Sequence, residues 1–287
     1  MEKKSKMNLL VIVIIIVGSI FLGIIIGKSA SKTPVNINNV TSNTVVSNEI
    51  STESVLEVSA EDNAATVKYD VSYSTEYYSS YNEKNERVCT SERNIPTVLN
   101  DKNPDSAKVI ESDLRAIMDE VWENEVKPTS DEVKISGNSE TMLGVKYFVN
   151  MEYQSSKVIT FSIKMNGDFG GVTWNVYELY SYDAKTGELI TLDNVAKDST
   201  SLKNVLIEKT KKVTTDNKIQ IDDTGNVGVD NLLLEKMAMH GSFGIMGNGI
   251  HINYHKYDIA IGSAGVVEVV LDKETANTYL LENYIID

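Results

Sequence analysis

One cysteine, Cys89, in 287 residues cannot close a disulfide within the chain, so stability has to come from buried apolar surface. Cys89 lies in an alternating segment and reads as a packed thiol rather than a nucleophile. Histidine is nearly as scarce, with His240, His251 and His255 the full set. His251 and His255 are four apart, a zinc spacing on a helix. On the strand expected here they stand ~13 Å apart, too far to share an ion held at about 2 Å. They read as surface histidines.

Catalytic signatures are missing too. There is no Gly-x-Ser-x-Gly, no His-Glu-x-x-His and no phosphate-cradling glycine loop. Asp168-Phe169-Gly170 copies a kinase tripeptide, but every histidine follows it and no catalytic loop precedes it. It reads as a bend, with Gly167, Gly170 and Gly171 freeing the backbone between two strands. The acidic turn Asp222-Asp223-Thr224-Gly225 lacks the alternating ligands and closing Glu of a calcium loop. No cofactor site, metal site or catalytic residue is expected, and the chain reads as a non-enzyme.

Positive charge is short as well. Setting aside Glu2, Lys3, Lys4 and Lys6 leaves 24 basic and 40 acidic side chains, a net −16 beyond the N-terminal tip. Nucleic acid is thereby excluded, because its affinity comes from Lys and Arg neutralising phosphates. Such a surface attracts cationic proteins and repels anionic polymers.

What is abundant comes first in the chain. Leu9 to Gly27 carries no charge, and fifteen of its residues are Leu, Ile, Val or Phe. As a helix it spans ~28 Å, close to the ~30 Å hydrocarbon core. Residues 1–8 then form a cytoplasmic tip, 9–27 a single-pass anchor in membrane lipid, and the bulk of the chain lies outside. A cleaved signal peptide competes, with Ser29-Ala30-Ser31 as its best site, although the apolar run is longer than such peptides use. Ser19, Gly23 and Gly27 recur every four residues, the small-residue spacing that lets membrane helices dimerise. Residues 28–65, rich in Ser, Thr and Asn and without aromatics, read as a flexible stalk.

Beyond the stalk the expected fold is α+β, an antiparallel sheet or sheets with a few packed helices, divided into 66–153 and 154–287. Val67, Tyr69, Val71, Tyr73 and Tyr77 share one face of a strand. Tyr69, Tyr73 and Tyr77 could stack on sugar rings if exposed, or pack with their hydroxyls at the rim. Ile110, Leu114, Ile117, Met118, Val121 and Trp122 mark a helix between Pro104 and Pro128. Leu143–Tyr153 and Ile159–Met165 alternate as a hairpin. Asp183 to Gly187 forms the tip of another. Asp198 caps a helix with the stripe Leu202, Val205, Leu206, Lys209 and Val213, and a short helix spans Asn231 to His240. The last strands are Ile250–Tyr257 and Val266–Leu271. Runs of strands broken by single helices favour antiparallel pairing.

Two stretches carry a resemblance. Ser181 to Val195 holds Asp-x-x-Thr-Gly-Glu-x-x-Thr-Leu-Asp, and Gly249 to Ala260 holds Gly-Ile-x-Ile-x-Tyr-x-x-Tyr-Asp-Ile-Ala. Together they resemble the extracellular domain of unknown function of the RsiV-like anti-sigma factors, which also accompanies PdaC-like peptidoglycan deacetylases. Asn94-Ile95-Pro96 and the helix after it are similar to that family's N-terminal companion region. The resemblance spans about Val67 to Leu271 and implies an envelope protein of a Gram-positive bacterium. It implies a binding or sensing role toward cell-wall glycan or a cationic wall-active protein such as lysozyme. Only MEKKSKMN stands where the family keeps its sigma-factor-binding domain, and no deacetylase domain is expected, so neither role transfers. Gly170-Gly171-Val172-Thr173 replaces the family's Gly-Gly-Ala-His. The alternative is an accessory module of a cell-wall enzyme or membrane signalling complex.

Overall fold

The computed structural model describes residues 68–128, 130–131, 143–169, 172–223, 225–239 and 241–287. The tip, the anchor with Ser19, Gly23 and Gly27, the stalk and His240 lie outside the described residues. Among the described residues no helix is long and apolar enough to cross a membrane.

The fold is α+β, built on two sheets. The first has six strands in the order β1 (Asp70–Tyr81), β2 (Arg87–Leu99), β3 (Leu143–Gln154), β4 (Val158–Phe169), β5 (Val172–Asp183) and β6 (Leu189–Ile190). Four of its pairings are antiparallel, as expected, but β2 and β3 run parallel. That departure has a topological cause: α1 (Pro104–Val121) lies between the two strands and returns the chain to the end where it began. Asn103 caps α1 by accepting from Ser106 N, and Pro104 opens it. Ile110, Leu114, Ile117 and Met118 are buried, each stabilising the fold by roughly 1.5–3 kcal/mol. A π-turn, Trp122–Val126, follows and sets Trp122 edge-on to Tyr78 at 4.6 Å.

β3 and β4 form the expected hairpin, closed by Ser155 N donating to Val158 O at 2.8 Å. The Asp168-Phe169 segment is the end of β4, and Phe169 pairs with Val172 of β5 across a two-residue connection. β4 therefore runs four residues past Met165, where the sequence reading ended it. At the β5–β6 tip Gly187 takes φ +75, and Asp183 Oδ1 accepts from Lys185 N and Thr186 N.

The second sheet is antiparallel, β7 (Phe243–Met246), β8 (Gly249–Tyr254) and β9 (Val267–Asp272). Its core is shared with α2 (Ser199–Asp216), α3 (Val229–Met237) and α4 (Lys273–Tyr279). Asp198 caps α2 as expected, accepting from Thr200 N and Ser201 N. The fully buried residues are Leu202, Leu206, Ile207, Thr210 and Thr214, and Val205 and Val213 of the expected stripe are partly buried against the same core. The threonines can turn inward because their hydroxyls bond back to Leu206 O and Thr210 O.

The buried residues of one hydrophobic cluster run from Tyr69 to Ala184, and those of the other from Ile190 to Ile286 together with Val158; position 154 falls at the end of β3, beside the β3–β4 turn. The sheets are locked edge to face. Leu179 N donates to Gly241 O, and Leu179 forms a parallel bridge with Ser242. Thr160 Oγ1 donates to Ile245 O at 2.6 Å, and Ile245 N donates to Ser181 Oγ at 2.8 Å.

Candidate functional site

The three tyrosines of β1 do not form one exposed face. Tyr69 is fully buried; its hydroxyl donates to Ala184 O at 2.6 Å and lies 2.6 Å from Ser106 Oγ. Tyr73 is half-buried, and its hydroxyl accepts the Met151 N–H at 3.2 Å. Only Tyr77 is exposed, at 44%. A sugar-stacking platform of all three is ruled out by geometry, since Tyr69 has no face to offer.

His251 and His255 are buried, not on the surface. His251 Nδ1 is 2.8 Å from Glu268 Oε1, and its Nε2 is 2.7 Å from Asn248 Oδ1, so hydrogen bonds hold the ring on both sides. His255 is buried one residue past β8. No group of three or more His, Cys, Asp and Glu side chains among the described residues could hold a metal. Asp223 caps a turn, accepting from Val227 N and Gly228 N.

His255 belongs to a polar cluster where β5 meets β7 and β8. Glu178 and Tyr180 come from β5, Ser242 precedes β7, Asn253 is on β8, and His255 and Asp258 close the turn after it. Tyr180 donates to Glu178 Oε2 at 2.7 Å. His255 N donates to Asp258 Oδ2 at 2.6 Å, with His255 Nδ1 4.0 Å from the same oxygen. Ser242 Oγ, Asn253 Oδ1 and Asp258 Oδ1 are buried without a hydrogen-bond partner. Burial pushes the Asp258 carboxyl up to about 6, against the pull of the His255 N–H and Lys236. Burial raises Glu178 as well, against the neighbouring His255 and the Tyr180 hydroxyl. Gly241, at φ +79, lets β5 approach this closely, because a Cβ there would lie 2.7 Å from the Glu178 side chain.

These are residue types that hydrolytic sites use, but no nucleophile–base hydrogen bond joins them. Ser242 Oγ bonds to no base, and a nucleophile needs one within hydrogen-bond reach. A shallow groove lined by Lys108, Val109, Ser112, Asp113 and Ala116 lies elsewhere, on the outer face of α1.

The cluster supports a loop. Between His255 and Val266 the chain exposes Tyr257 at 57%, Ile261 at 63% and Val266 at 38%. Tyr257 adopts φ +77, a conformation that costs a non-glycine residue about 1–3 kcal/mol. Its ring packs against Gly262, where a Cβ would lie 2.2 Å away, and Lys256 Nζ sits 5.1 Å from the ring centroid.

No protein-family model and no curated protein matches the sequence. Solved structures do. A crystal structure of a DUF3298 family member from Bacteroides fragilis is 15% identical, with a TM-score of 0.56 over 77% of this chain and 96% of that one. The fold is the DUF3298 fold. A DUF3298 protein from Pseudomonas aeruginosa is 12% identical, with a TM-score of 0.46 over 77% of this chain and 97% of its own. Within this DUF3298 fold the sequence reading carried β8 through Tyr257. The strand stops at Tyr254 because Asp258 folds back to cap His255. The signal was in the sequence: Ile250, Ile252 and Tyr254 alternate, and Lys256 then occupies the next apolar position.

Proposed function

We propose that this chain is a non-catalytic binding or sensing module, tethered by residues 9–27 and displayed outside the cell by the 28–65 stalk. Its contact surface is the loop from His255 to Val266. The observation that carries this reading is Tyr257, an exposed aromatic on strained backbone beside a buried polar cluster. Strain of this kind is retained where a side chain must be presented in one direction. Aromatic anchors carry much of the energy of protein contacts.

The ligand class follows from charge. A net charge of −16 beyond the N-terminal tip draws in cationic partners over long range. A cationic wall-active protein such as lysozyme fits better than an anionic wall polymer, and this accords with the resemblance to RsiV-like and PdaC-like domains. The full-length chain in detergent, immobilised and exposed to lysozyme, should retain it at low ionic strength and release it as salt rises. No retention at low ionic strength removes lysozyme as the ligand. Protease added to intact cells should remove residues 68–287; survival of that body would remove the exterior placement.

A further inference from the structure

Among the described residues β1 is the outer strand of the six-stranded sheet, twelve residues long, and it contains neither Lys nor Pro, the usual guards of an open edge. Which of its backbone groups face outward follows from β2. Pro96 has no N–H to give, and Val98 N donates to Glu111 Oε2, so the even positions of this part of β2 point away from β1. Thr97, Ile95 and Arg93 point toward it, and their partners are Ser72, Ser74 and Glu76. By alternation, Val71, Tyr73, Thr75, Tyr77 and Ser79 turn their N–H and C=O groups outward.

We propose that this edge pairs with the same edge of a second copy, antiparallel and centred on Thr75, joining two sheets into one. Three constraints select that register. In an antiparallel pair, outward-facing residues must oppose outward-facing residues, so a two-fold axis passes through a residue and never between two. Centring on Thr75 or Glu76 uses the strand almost fully, Asp70 opposite Ser80 or Val71 opposite Tyr81, while other centres shorten the ladder. Centring on Glu76 opposes two carboxylates directly, which is destabilising. Centring on Thr75 sets Glu76 opposite Ser74 and Tyr73 opposite Tyr77 on both sides of the axis. Aromatic cross-strand pairs of this kind stabilise a sheet.

The pairing also accounts for Tyr77, which shares a face with half-buried Tyr73 yet stands 44% exposed in the single chain. Glu76 is already matched within its own chain by Arg93 at 2.9 Å, so no unmatched charge enters the seam at that point. Five outward residues per copy, each giving one donor and one acceptor, form about ten hydrogen bonds between the chains.

The test is site-directed crosslinking of the full-length chain, in which the one native thiol, Cys89, is fully buried. With Thr75→Cys the two new thiols sit on residues ~5.5 Å apart, and a short bismaleimide should convert most of the protein to a covalent dimer. With Ser79→Cys the equivalent residues lie ~27 Å apart, and no dimer should form. A second reading does not depend on Thr75. Chains carrying Ser74→Cys, mixed with chains carrying Glu76→Cys, should form a disulfide under mild oxidation, because those positions face each other at ~4.5 Å. Absence of the Thr75→Cys dimer together with the mixed disulfide overturns the proposal. So does equal crosslinking at Ser79, or a crosslink from Thr75→Cys to a different protein.

Discussion

Ser181 Oγ accepts the backbone N–H of Ile245 at 2.8 Å, so a side chain of the large sheet takes the place of a strand neighbour for the small one. Thr160 Oγ1 completes the joint by donating its proton to Ile245 O, which leaves Ser181 to donate to Thr160 across 2.8 Å. All three groups are closed off from solvent.

Removing either hydroxyl strands a buried backbone group. Ser181→Ala and Thr160→Val are each expected to cost about 1–3 kcal/mol. The double variant should lose less than the sum, by on the order of 0.5 kcal/mol or more, because both serve one residue. Urea unfolding of the four proteins measures both quantities; strict additivity would show that the hydroxyls act independently.

Asp258 sets a pH dependence. Its folded-state carboxyl is raised to about 6, above the ordinary value of 3.8. Between these values the folded protein holds a proton that the unfolded chain has released. Its contribution is therefore a penalty absent below about pH 4 that grows as pH rises and is complete above about pH 6. The full penalty is on the order of 3 kcal/mol, and Glu178 acts in the same direction. Asp258→Asn should be more stable than the parent at pH 7, with the advantage vanishing toward pH 4. An advantage that instead grew as pH fell would reverse the assignment.

Tyr257 links strain to contact. Tyr257→Asn accepts the left-handed backbone more readily and gives up little burial. Its thermal stability should equal or exceed the parent's by up to ~1 kcal/mol. Its lysozyme retention should fall at least tenfold. A clear loss of stability would mean that the ring is held for packing.

Tyr69 tests the opposite case. Tyr69→Phe leaves Ser106 and Ala184 without their shared partner. It should destabilise the protein by about 1–3 kcal/mol without altering retention of ligand by the folded protein. Reduced affinity at unchanged stability would restore Tyr69 to a binding face.

Local signals were legible where one element satisfies its own chemistry. Pro104 and Asp198 mark helix starts, Asp183 and Gly187 mark a turn, and Leu143 to Met165 alternates as a hairpin. The parallel pairing of β2 with β3 was not legible, because alternation states which residues face inward and not which strand lies alongside. β7 is four residues long and is secured by Thr160 and Ser181, more than sixty positions upstream. The same limit hid the candidate site. Glu178, Ser242, Asn253 and Asp258 are unremarkable singly, and pairing across the two sheets brings them together. The sugar-stacking reading of β1 failed for a related reason: period two places Tyr69, Tyr73 and Tyr77 on one face but does not say which part of that face is covered.

The most direct measurement compares Tyr257→Ala with Tyr77→Ala in the full-length chain, following lysozyme association by calorimetry at low ionic strength. Both side chains are exposed, so neither change should unfold the protein. The account predicts that affinity falls at least tenfold for Tyr257→Ala and is unchanged for Tyr77→Ala. Equal affinity in the two variants and the parent would contradict it.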